Sequence, residues 1–111
     1  MANTFKNSFT VAVGTSLTTA YTTPAATTST IIGLSVSNRL PSTQINVDVT
    51  ATDVSGTKTV YLIKNAPIPV GGSLVIVGGE QKVVLETTDY IQVISTVASS
   101  ADVIISILEL S

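Results

Sequence analysis

The chain has 111 residues, 44% hydrophobic and only 11% charged, with a formal net charge of -2. It contains no histidine, cysteine or tryptophan, which excludes Ser–His and Cys–His nucleophiles, imidazole or thiolate zinc sites, iron–sulfur clusters, haem held by those ligands, and disulfide staples. The five cations Lys6, Arg39, Lys58, Lys64 and Lys82 are scattered, so no basic patch suits a nucleic-acid partner.

The length fits one domain, residues 1–111, with a single core. Threonine, valine and isoleucine number 18, 15 and 11, so 44 of 111 residues are β-branched. Such side chains are stiff at χ1 and favour strands. Residues 1–20 are too polar for the core of a signal peptide, and no clean cleavage site follows. The longest apolar stretch, Val103 to Leu108, is far short of a spanning helix. The chain therefore reads as unprocessed and soluble, with no membrane partner, and residues 1–8 as an extended N-terminal arm.

Alternation with period two, broken by turn residues, then runs along the chain. Phe9, Val11 and Val13 are predicted to point one way, and Gly14 ends the run. Leu17, Thr19 and Tyr21 form a short second alternation before the Thr22–Ser29 linker with its Pro24. Ile32, Leu34 and Val36 alternate with Gly33, Ser35 and Ser37, and Asn38 to Ser42 is a turn. Ile45, Val47, Val49 and Ala51 alternate with Asn46, Asp48 and Thr50. A turn at Asp53-Val54-Ser55-Gly56, with Gly56 suited to positive φ, returns the chain along Thr59–Lys64.

Asn65 to Gly72 holds Pro67 and Pro69, which rules out a central strand. It is predicted as an extended connector carrying Ile68 as an anchor. Leu74–Val77, a Gly78-Gly79 turn and Lys82–Leu85 follow, then the turn Glu86 to Asp89. Tyr90 to about Val97, the turn Ala98–Ala101 and Val103–Leu110 complete the chain. About eight strands joined by short turns predict an all-β fold, an antiparallel β-sandwich of jelly-roll or immunoglobulin-like type. The outward faces are expected to be mostly threonine and serine, with few lysines guarding the sheet edges.

The carboxylates Asp48, Asp53, Glu80, Glu86, Asp89, Asp102 and Glu109 lack the dense spacing of a calcium loop. They read as solvated or turn-capping groups, with a structural cation or acid–base pair as the sharper alternatives. Tyr21, Tyr61 and Tyr90 fall in separate strands, and edge packing of the core accounts for them better than a carbohydrate platform. Gly71-Gly72 and Gly78-Gly79 are turns without a phosphate-binding pattern. No catalytic, cofactor-binding or metal-ligating residue is assigned, and no enzyme is expected.

The segment Tyr61-Leu62-Ile63-Lys64-Asn65-Ala66-Pro67-Ile68-Pro69-Val70-Gly71-Gly72-Ser73-Leu74 resembles small structural proteins of tailed-bacteriophage virions. The similarity continues through Gly78 to Glu86, Asp89 to Val93, Ser95 to Ser100 and Ile107 to Leu110, and includes Val13 to Ser16 and Tyr21 to Ala25. Thr88 stands before Asp89 where such proteins often carry Gly. The resemblance implies a non-enzymatic virion component present in several copies, here expected to be a capsid decoration protein. On that reading it binds the major capsid protein, or another virion protein, as a homo-oligomer with a trimer favoured and the N-terminal segment Met1–Phe9 as the anchor. The alternatives are a neck, tail or fibre attachment protein and a host-glycan-binding module.

Overall fold

The computed structural model describes residues 2–111, and none of these is helical. The strands are β1 (Asn3–Val13), β2 (Thr18–Thr22), β3 (Thr28–Asn38), β4 (Ile45–Asp53), β5 (Lys58–Ile68), β6 (Ser73–Val77), β7 (Val83–Leu85), β8 (Tyr90–Ser95) and β9 (Ala101–Leu110). One sheet has the order β1-β9-β3-β6, with β7 also on β3, and the other the order β2-β8-β4-β5. Every pairing is antiparallel. The two sheets pack face to face as a β-sandwich.

The pairs nest about the β4–β5 turn: β4 with β5, β3 with β6 and β7, β2 with β8, and β1 with β9. One long antiparallel hairpin has thus been rolled up, which is the jelly-roll order. An immunoglobulin-like domain would pair several consecutive strands within each sheet. Here only β4 and β5 are consecutive and paired.

The interior is aliphatic. Ile31, Leu34, Val36, Val103, Ile105 and Ile107 from the first sheet meet Ile45, Val47, Val49, Ile68, Ile91 and Val93 from the second, each at most 2% exposed. Burying one such side chain contributes about 1.5–3 kcal/mol. The β-branched residues that suit a pleated strand therefore also supply the core.

Several local expectations change. Residues 1–8 do not form an arm among the described residues, because Asn3 onward is β1 and pairs with β9 from Asn3↔Leu110 to Thr10↔Val103. The segment is polar around Phe5, but an edge strand needs only one paired side. Asn65 to Ile68 extend β5 rather than connecting it onward. Pro67 is tolerated because β5 is an edge, and Ile68 is fully buried as the anchor. Leu74–Val77 and Lys82–Leu85 do not turn back on each other across Gly78-Gly79. Their strands β6 and β7 both pair with β3, at Leu34–Ser37 and Ser29–Ile31, as one interrupted strand.

Bulges move three predicted faces. Ladder irregularities fall between Thr10 and Val13, Thr19 and Tyr21, and Ile31 and Gly33. Val13 consequently enters the core at 2% exposure while Phe9 and Val11 stay outside. Ile31 takes the core position expected of Ile32. In the β4–β5 turn the positive φ belongs to Thr57, at 55°, and not to Gly56.

Candidate interaction faces

Strand alternation decides what each sheet shows to solvent. On the first sheet, the ladder sets Phe5 opposite Leu108 and Phe9 opposite Ile104, then Leu108 opposite Thr30 and Ile104 opposite Ser35. Ser35 faces Val75, and Thr30 faces Val84. All these residues share the outer face. Phe5, Phe9, Val75, Val84 and Ile104 are 77, 64, 68, 62 and 46% exposed. Asp102 is the one charged residue that the ladders place on this face, at its end, where it lies 3.5 Å from Arg39. The Thr30 and Ser35 row of β3 separates the apolar residues of β1 and β9 from Val75 and Val84, and exposed apolar area of this size is a candidate contact surface.

Asp102 also helps to create that face. Its Oδ1 accepts the backbone N–H of Ala12 at 2.9 Å, and Ala12 has a φ of 58°. Positive φ is rare for alanine, and this hydrogen bond holds the bulge that leaves Phe9 and Val11 in solvent. The expectation of a surface mostly of threonine and serine is met on the first sheet only along β3 and at Ser106, with apolar side chains on the flanking strands.

The second sheet is polar outside, with threonine mixed among asparagine, aspartate, glutamine and tyrosine. There Asn46, Asp48, Thr50 and Thr52 of β4 lie on the outer face, with Gln92 and Tyr90 of β8 and Tyr61 and Thr59 of β5 opposite Thr50 and Thr52. A shallow trough of about 500 Å³ runs over all of these but Asn46, from Leu17 to Tyr61. Tyr61 and Tyr90 thus share one face although they come from separate strands, an arrangement that the sequence reading did not foresee. Much of the polar chemistry in this region is already used. Asp48 Oδ1 accepts the N–H of Asn65 at 2.6 Å, Thr52 and Thr59 hydroxyls bond at 3.0 Å, and Lys64 Nζ lies 4.8 Å from the Tyr61 ring centre. The buried Thr50 hydroxyl has no partner.

The carboxylates fall into three roles. Asp53, Glu86 and Asp89 converge at the loop end of the sandwich, with ligand atoms within 4.8 Å of one another. Both oxygens of Asp89, however, are engaged by backbone: Oδ1 accepts Val54 N–H and Oδ2 accepts Glu86 N–H, each at 2.9 Å. Asp53 Oδ1 caps its own turn by accepting from Ser55 and Gly56. Asp89 thereby clasps the two loops together. Glu80 is exposed in the β6–β7 interruption.

Glu109 has a third role. It is 8% exposed, on the inner side of β9, where Oε2 accepts the Tyr21 hydroxyl at 2.5 Å and Oε1 lies 3.5 Å from Lys6 Nζ. Burial, then the hydrogen bond to Glu109, push the Tyr21 phenol up to about 12. The cluster fixes β1, β2 and β9 at the end of the sandwich where the two edge strands meet.

No protein-family model matches the chain. Neither the curated proteins nor the solved structures contain a match to it.

Proposed function

We propose that the protein is a non-enzymatic structural component of a phage virion, a capsid decoration protein that binds the coat shell as a homo-oligomer. The observation that carries the reading is the apolar outer face of the β1-β9-β3-β6 sheet, with Phe9, Ile104, Val75 and Val84 open to solvent. Decoration of a shell asks for a stable small scaffold and a surface that loses water on contact. The rolled hairpin supplies the first and this face the second. Placed on coat protein, exposed aliphatic and aromatic surface gains about 25 cal/mol per Å² removed from water. The resemblance along Tyr61 to Leu74 and the absence of histidine and cysteine support the same reading.

The direct test is quantitative mass spectrometry of particles purified by density gradient from cells that encode the protein. Hundreds of copies per particle are expected. A few to a dozen copies would favour a neck, tail or fibre attachment, and absence from the particles would overturn the proposal.

A further inference from the structure

β1 is the long unguarded edge of the molecule. Its 11 residues pair with β9 on one side and with no strand on the other. The other long edge, β5, carries Lys58, Lys64, Pro67 and two ladder irregularities, all of which hinder pairing. On β1 the hydrogen-bonding phase is fixed at its start, where Ala2 and Ser111 exchange both backbone bonds, at 2.8 and 3.0 Å. Alternation then turns Thr4, Lys6, Ser8 and Thr10 toward β9. The N–H and C=O groups of Phe5, Asn7 and Phe9 point to the free edge.

The sequence of that edge is Thr4-Phe5-Lys6-Asn7-Ser8-Phe9-Thr10, which reads the same in both directions apart from Lys6 and Ser8. A two-fold contact needs such self-complementarity, since each residue meets its own counterpart's complement. We propose, on the reading that the protein acts as a homo-oligomer, that β1 pairs antiparallel with β1 of a second copy about a two-fold axis through Asn7.

This register sets Phe5 opposite Phe9 of the second copy, twice, and Asn7 opposite Asn7. Lys6 faces Ser8, so like charges do not stand opposite each other. The register shifted by two residues would still join outward-facing backbone groups, but it would place Lys6 against Lys6 and lose the Phe5–Phe9 pairs. The three matched pairs supply about six backbone hydrogen bonds, two per pair. The irregularity after Thr10 ends the ladder there. The exposed parts of Phe5 and Phe9 come to about 300 Å² per copy if each ring presents 150–250 Å², well under the roughly 800 Å² of a standard interface. The dimer therefore depends on concentration. Joining the β1 edges also makes the two apolar outer faces continuous, which doubles the surface offered to a shell. The trimer expected from the resemblance has no such matched edge.

The test uses the full chain and its lack of native cysteine. Asn7→Cys places a thiol on the axis, where paired Cα atoms stand about 5.5 Å apart, within disulfide reach. Ser106→Cys sits on the same face one strand further in, three strand spacings or about 14 Å from its copy. Under mild oxidation, Asn7→Cys is expected to form covalent dimer at least tenfold faster than Ser106→Cys. Asn7→Pro removes only a free-edge N–H, so it keeps the fold while the dimer measured by light scattering dissociates. Equal cross-linking rates, a dimer that survives Asn7→Pro, or a trimer or strict monomer at high concentration would overturn the pairing. Absence of the protein from particles would remove the virion reading while leaving a cross-linked dimer intact, so the two failures are distinct.

Discussion

Phe9 of β1 stands directly opposite Ile104 of β9 on the outer face of the first sheet, and both side chains are substantially exposed. Four residues further on, Val13 is buried among the core aliphatics. One bulge separates the two environments. Had the alternation continued unbroken, Val13 would lie outside with Phe9 and the core would lose a member.

Because Ile104 spends its apolar surface on solvent, Ile104→Thr should leave the fold nearly unchanged. The urea midpoint is expected to move by no more than about 0.5 kcal/mol in stability. Binding of a hydrophobic dye should fall at the same time. A loss of several kcal/mol would mean that Ile104 belongs to the interior.

Asp89 should behave in the opposite way. It is 4% exposed and its two oxygens join the β4–β5 turn to the β7–β8 turn. Asp89→Ala leaves the Val54 and Glu86 N–H groups without those acceptors and is expected to cost about 2–3 kcal/mol. Chemical denaturation measures it directly. Asp89→Asn retains one acceptor oxygen and should cost less.

The Tyr21–Glu109 bond predicts a pH dependence at the alkaline end. The phenol's pKa is raised in the folded state, from 10.0 to about 12, so the native protein holds a proton that the unfolded chain releases. The stability from this bond is complete below pH 10 and falls as pH rises from 10 toward 12. Tyr21→Phe should remove that part of the slope. In a spectrophotometric titration, the difference between the two proteins should show a phenolate step near 12; a step near 10 would place Tyr21 in solvent.

At the tip of the rolled hairpin, Thr57 carries a φ of 55°. Threonine is β-branched and disfavoured there, so Thr57→Gly should raise stability by about 0.5–1 kcal/mol, read as an increase in Tm. Gly56→Ala should lower it, since an added Cβ would stand 2.5 Å from Asp53 Oδ2 and push aside the carboxylate whose Oδ1 caps the turn.

Much of this architecture was legible in the sequence. Clean alternation in Ile45–Ala51 gave that strand its inward face, the apolar run Val103–Leu110 read as a strand, and Asp53 to Gly56 marked the hairpin. The bulges were not legible. A bulge with glycine at its positive-φ residue leaves a trace, but here Ala12 takes that conformation, held by Asp102 from a strand 90 residues away. No local pattern encodes that contact. The apolar outer face was hidden for the same reason, since Phe5 and Phe9 join Ile104 and Leu108 only after β1 and β9 pair. Tyr61 and Tyr90 likewise meet on one face only through β4.

The central claim is that the outer face of the β1-β9-β3-β6 sheet attaches the protein to a shell. Its most direct measurement is binding of purified protein to particles assembled from the same genome with this reading frame disrupted. Wild-type protein is expected to bind saturably at hundreds of sites, and Ile104→Asp, still folded by circular dichroism, to lose that binding by at least tenfold. Equal binding by both proteins would contradict the account.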